Sequence, residues 1–186
     1  MATRPSARTR PWKVARSLSR AAGLLLLAGL LPLLAGTALA LKLFRRGPVL
    51  HKKEVVRLPV ASDATLWKSY NLYSFGPRGR GGFGWRHFFL HFLPGLINVA
   101  RGDLGFVGMS PRTWSSLAAL PRDWKALYGR AKAGLVSEAE VTWEHEPSQD
   151  ELYAVEAVYS VKAGIRYDLK ILSGYFCRLW GLPARV

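Results

Sequence analysis

The chain has 186 residues, with 27 Lys and Arg against 12 Asp and Glu, a formal net charge of +15. Hydrophobic residues make up 49% and aromatic residues 12%, which excludes a disordered chain, because disorder combines high charge with few apolar groups. Its single cysteine, Cys177, excludes an internal disulfide and any cysteine-based zinc site. High apolarity with this charge suits a membrane surface, and leaves nucleic acid unnecessary as a partner.

Residues 1–20 carry six basic side chains and no acid, and read as a basic N-terminal segment. Ala21 to Leu41 follows without a charge and with ten leucines. As a straight helix it measures about 31 Å, enough to span a bilayer. Ala38-Leu39-Ala40 also has the form of a signal-peptide cleavage site, although the run exceeds the usual h-region. The third reading is a re-entrant helix over 21–46 that leaves on the side it entered. Pro32 in mid-run bends the chain, and Arg20 and Lys42 mark basic flanks on both sides, where a spanning helix would show asymmetry. These two features favour the re-entrant form.

Residues 47–186 read as one domain. Gly47-Pro48 breaks the helix, and Val49 to Val60 and Trp67 to Phe75 read as strands. Gly76 to Gly84 holds five glycines in nine residues and reads as a loop. Its Arg78-Gly79-Arg80-Gly81-Gly82 is better explained by a lipid headgroup layer than by RNA. Trp85 to Ala100 is predicted helical around a kink at Pro94, with Gly102 as C-cap. Ser115 to Tyr128 reads as helices interrupted at Pro121. Ala139 to Trp143 is predicted as a strand, and Asp150 to Ser160 and Gly164 to Trp180 as helices.

Four groups bear chemistry. Asp103 beside Arg101, in a glycine-rich turn, is either a surface ion pair or part of a ligand site. His87 and His91 share one helix face, as core or interfacial histidines or as a metal pair. Arg112 with Arg122, Arg130 and Lys132 forms either a solvated basic face or a phosphate site. Glu138, Glu140, Glu144 and Glu146 alternate as on one strand face, with His145 and Asp150 near, either as a solvated edge or as a divalent-ion site.

Residues 93–108, from Leu93-Pro94-Gly95-Leu96-Ile97-Asn98-Val99 to Gly102-Asp103-Leu104-Gly105-Phe106-Val107-Gly108, resemble the central signature of the bacterial sugar transferase family. Its usual form is Leu-Pro-Gln-Leu-x-Asn-Val-x-x-Gly-Asp-Met-Ser-x-Val-Gly-Pro-Arg-Pro. Gly47-Pro48-Val49, Tyr159 and Tyr167-Asp168-Leu169-Lys170-Ile171-Leu172 resemble other family strings, and the resemblance covers roughly residues 12–180. It implies an α+β fold: a re-entrant membrane helix, then a small cytoplasmic α/β domain with amphipathic interfacial helices. It also implies a place at the cytoplasmic face of a bacterial inner membrane, in exopolysaccharide or glycoconjugate biosynthesis. The family reaction moves a sugar 1-phosphate from a nucleotide sugar to undecaprenyl phosphate, using an Asp-Glu pair and magnesium. That pair aligns with His91-Phe92. Arg86, Arg101, Asp103, Arg112 and Lys132 are the candidate phosphate and substrate contacts. Two functions follow. One is an enzyme rebuilt on His91, with magnesium. The other is a non-catalytic relative that binds polyprenyl phosphate or a nucleotide sugar, or supports a partner glycosyltransferase.

Overall fold

The computed structural model describes residues 10–44, 47–61, 63–76, 84–143 and 148–184. In order they form α1 (Arg10–Phe44), β1 (His51–Val56), β2 (Ser69–Ser74), α2 (Trp85–His87), a π-helical turn (Phe88–Phe92) and α3 (Leu93–Arg101). There follow β3 (Gly105–Val107), α4 (Trp114–Ala118), α5 (Arg122–Tyr128), β4 (Gly134–Val136), α6 (Glu138–Thr142), α7 (Gln149–Lys162) and α8 (Ile165–Leu179). The class is α+β: an apolar N-terminal helix, then a small α/β domain with two two-stranded sheets.

The helix α1 starts at Arg10, so part of the basic segment joins it. Arg and Lys favour helix about as well as Leu does, and Pro11 in the first turn loses only an N–H that has no intrahelical partner. The helix continues on both sides of Pro32. Ser17–Phe44 is long and apolar enough to cross a membrane, and its most apolar window is 0% buried. One flank nevertheless packs on the domain. A Cβ on Gly23 would lie 2.9 Å from Val99 Cγ1, so glycine is what lets α1 approach α3. Leu27, Leu30 and Leu34 continue that flank at helical spacing and pack against the core.

The expected strands are present as β1 and β2, paired antiparallel with His51 opposite Ser74 and Lys53 opposite Leu72. Strand alternation therefore puts His51, Lys53, Leu72 and Ser74 on one face. The free edge of β2 meets α3 through Asn98, which is fully buried. Its Oδ1 accepts from the Tyr73 N–H at 3.1 Å, and its Nδ2 donates to the Asn71 carbonyl at 2.7 Å.

Residues 85–101 are helical, but the irregularity sits before Pro94 rather than at it. Proline has no N–H for the Leu90 carbonyl, and its ring would crowd that carbonyl in a regular turn. The chain widens into the π turn, where Leu93 N–H bonds Phe88 O, and the Leu90 carbonyl accepts the Phe75 N–H at 2.7 Å instead. Gly102 caps α3 in the left-handed region (φ 77), as expected.

The strands β3 and β4 pair in parallel, Gly105 with Gly134 and Val107 with Val136. A Cβ on Gly134 would stand 1.9 Å from Gly108 N, so the pairing depends on a bare backbone. The strand expected over 139–143 is instead the helix α6. Ser137 accepts from Glu140 N and Glu140 bonds back to Ser137 N, a capping box that starts a helix. Glu138 and Glu140 thus sit in a first helical turn. Residues 144–147, with Glu144, His145 and Glu146, lie outside the described residues, as do 77–83 with the Arg-Gly string. The helices expected late in the chain are α7 and α8.

Candidate functional site

His91 owes its position to the π turn. It lines a cavity of about 290 Å³ whose other walls include His51, Lys53 and Ser74 from the hairpin and Leu135 from β4. Lys52 and Tyr73 also border it. His87 lies beside it, ring centroids 5.1 Å apart, and its Nδ1 is 3.1 Å from the Tyr175 hydroxyl. Phe92, the next residue, points into the core. It is 3% exposed and stacks on Phe88 and Tyr175 at 5.2 and 5.3 Å.

The expected phosphate contacts lie elsewhere, and each has a partner or place of its own. Asp103 pairs with Arg57 and lies 3.7 Å from Arg101 Nε. Arg101 also donates to the Tyr73 hydroxyl at 3.2 Å. The Asp103 cluster thus holds the turn after α3 against the hairpin. Arg112 is buried: it donates to Gln149 Oε1 at 2.9 Å, lies 3.5 Å from Glu156 Oε2 and covers the Tyr128 ring at 5.0 Å. Glu156 also accepts from Ser110 N at 2.8 Å and from the Tyr128 hydroxyl. Burial pushes the Glu156 carboxyl up, and Tyr128, Arg112 and Ser110 oppose that shift. Burial likewise pushes the Tyr128 hydroxyl up, and Glu156 adds to it.

Lys132 pairs with Asp168 at 3.2 Å, and Asp168 accepts from the Tyr159 hydroxyl at 2.9 Å. The quoted Tyr and Asp-Leu-Lys strings are therefore in contact and tie α7 to α8. Burial and a bond to Glu138 push the Tyr167 hydroxyl up to about 12. Arg86 is exposed and lines a different groove of about 460 Å³, formed with Thr37, Ala40 and Leu41 of α1 and with Phe89 and Leu90. The Arg20 stem packs on Gly102, where a Cβ would meet its Cδ at 2.6 Å. Lys42 is exposed in the last turn of α1, and Pro32 is exposed at mid-helix.

A family model described as bacterial sugar transferase matches residues 78–179, more than half of the chain. The chain belongs to the bacterial sugar transferase family. No curated protein matches it. This sugar transferase relative is thereby placed in glycoconjugate biosynthesis, where the family implies nucleotide sugar and polyprenyl phosphate as substrates. The apolar α1 is consistent with membrane association.

Magnesium takes oxygen ligands, usually with one or two carboxylates. The cavity beside His91 offers imidazoles and ammonium groups, and no carboxylate among the described residues; the Ser74 hydroxyl at its wall donates to the Gly76 carbonyl at 2.8 Å. Glu54, next to Lys53, leaves by the opposite strand face and accepts from the Ser69 hydroxyl. Nor does any group of three or more His, Cys, Asp or Glu among the described residues suit a metal ion. The donor set does not fit magnesium. Sequence reasoning missed His51, Lys53 and Ser74. Strand alternation would have paired the first two on one face, but only the fold brings that face to His91.

Proposed function

We propose that this chain is a membrane-seated sugar transferase relative that binds a phosphate-bearing substrate of the family reaction without carrying out the transfer. The observation that carries this reading is the pair His91-Phe92. The family chemistry asks for a carboxylate nucleophile, ionised at neutral pH, with a second carboxylate beside it. Phe92 can neither hold a metal nor exchange a proton, and its ring is committed to the Phe88–Tyr175 stack. Around it the family scaffold persists: Asn98 holds the hairpin, Gly102 caps α3 and Asp168 meets Tyr159. Binding of polyprenyl phosphate or a nucleotide sugar, or support of a partner glycosyltransferase, is the role that such a scaffold retains.

One observation favours a second reading. His91 lines a cavity, and imidazole accepts phosphoryl groups. In that reading a His91 ring nitrogen forms a bond to the sugar-bearing phosphorus while the bond to the nucleotide oxygen breaks. Nucleoside monophosphate leaves, and polyprenyl phosphate then displaces the imidazole. Incubation with nucleotide sugars and polyprenyl phosphate separates the two. Saturable binding without release of nucleoside monophosphate supports the binding protein. Release that His91→Ala abolishes supports the enzyme.

The same proposal seats α1 in one leaflet, at the cytoplasmic face of the bacterial inner membrane. The domain accompanies α1 from Arg20, against Gly102, to Leu41 in the groove with Phe89. That length is about 32 Å, the full depth of the hydrocarbon layer. An upright crossing would carry the domain surface packed along that length through the lipid, so a re-entrant path, leaving on the domain's side, suits the packing better. The helix α8 exposes Ile165, Leu169, Phe176 and Trp180 along one stripe, and Trp180 meets Trp85 edge-on at 5.1 Å. Aromatic side chains of this kind favour the headgroup level.

A further inference from the structure

We infer that the cavity beside His91 binds a phosphate or diphosphate group directly, through its ammonium and imidazole side chains, with no divalent ion between protein and ligand. The inference rests on the reading that this chain keeps a phosphate-bearing ligand, and it assigns where and how. Alternation along β1 aims His51 and Lys53 at one face, and the register sets Ser74 opposite His51. The π turn brings His91 to the same space from the helix side. Lys53 has no carboxylate partner among the described residues, so its charge is uncommitted. A volume of about 290 Å³ is at the lower end for ligand pockets, and suits one or two phosphate groups rather than a whole lipid.

The charge balance gives the inference a sign. A site that needs a metal gains affinity for diphosphate when magnesium is added. A site made of ammonium and imidazole groups loses affinity or keeps it unchanged, because magnesium neutralises the free anion before it can bind. Charge-assisted hydrogen bonds from Lys53 are strong enough that reversing the charge should weaken binding at least about tenfold.

The experiment is calorimetric titration of the full chain in detergent with inorganic pyrophosphate and, separately, with a nucleoside diphosphate. Each is run in EDTA and again with excess magnesium. The expected result is binding in EDTA that magnesium weakens or leaves unchanged, and that Lys53→Glu lowers at least about tenfold. Lys170→Glu, exposed on α8, should leave binding unaltered. Lys53 is exposed, and a thermal unfolding profile matching that of the unsubstituted chain shows that its replacement still folds. Binding that appears only with magnesium, binding that survives Lys53→Glu, or no binding of either probe would overturn the inference. Binding that requires magnesium leaves the proposed function standing. Release of nucleoside monophosphate from a nucleotide sugar overturns the proposed function and leaves direct anion binding intact.

Discussion

Replacing Arg112 by Met decides whether that arginine serves a ligand or the fold. The side chain is 6% exposed, and its methylene stem is matched in volume by methionine, so the loss is chiefly electrostatic. It removes the bond to Gln149, the pairing with Glu156 and the contact with the Tyr128 ring. Removing one partner of a buried ion pair costs about 3–5 kcal/mol. Glu156 keeps its bonds from Ser110 and Tyr128 and can take up a proton, which points to the lower end of that range. For a chain of this size about 3 kcal/mol corresponds to a Tm lowered by about 6–12 °C. The loss has a pH signature. Glu156 already stands above its ordinary value of 4.5, and Arg112 is one of the groups that hold it down, so removing Arg112 raises it further. A raised carboxyl leaves stability whole below the ordinary value and removes it as pH rises through the folded value. The Tm deficit of Arg112→Met should therefore be larger near about pH 8 than near about pH 5. The double variant Arg112→Met/Glu156→Leu should recover only part of the loss, because it removes the unpaired charge but leaves the Ser110 N–H and the Tyr128 hydroxyl without their acceptor. Thermal unfolding in detergent at both pH values measures all three. An Arg112→Met protein that keeps its Tm while losing phosphate binding would refute the reasoning and return Arg112 to the ligand.

Asn98→Ala leaves the Tyr73 N–H and the Asn71 carbonyl without their partner, at a cost of about 2–4 kcal/mol, and hydrogen exchange should show faster exchange along β2 than in α7. Gly134→Ala forces a Cβ into the Gly108 backbone, and should abolish cooperative unfolding, whereas Gly181→Ala in the final turn, with nothing within 4 Å, should cost about 1 kcal/mol for its positive φ. The double variant His91→Asp/Phe92→Glu restores the family's residue types, but should lose at least about 3 kcal/mol in a denaturant titration and show no turnover, because position 92 faces the aromatic stack. Single cysteines at residue 9 and at Gly47, in a Cys177→Ser background, should react with a membrane-impermeant reagent from the same side. Reaction from opposite sides would contradict the re-entrant path.

The elements with a local cause were legible. Gly102 as a cap, the interruption at Pro121 and the two strands beside the Gly-rich loop follow from residue chemistry over a few positions. Residues 139–143 suggest a strand when taken alone, but the Ser137–Glu140 spacing carries a stronger, helix-starting signal, and α6 forms there. The sequence points to an irregularity at Pro94, but the chain answers the missing N–H one turn earlier, using a carbonyl that the distant Phe75 can fill. Three-residue β4 is invisible to periodicity, since it is buried on all sides and defined only by its partner. The site divides in the same way. The family string points to His91 as a candidate, but the hairpin residues facing it depend on a long-range meeting. Arg112 and Lys132 carry the charge of phosphate ligands, and only packing shows that Glu156 and Asp168 already occupy them.

The central claim is that the scaffold binds without transferring. Its most direct test measures nucleoside monophosphate released from a panel of nucleotide sugars, in the presence of polyprenyl phosphate and magnesium, alongside binding of the same ligands. The account predicts saturable binding and release no faster than in the absence of protein. Release above that background, lost in His91→Ala while binding remains, would contradict it.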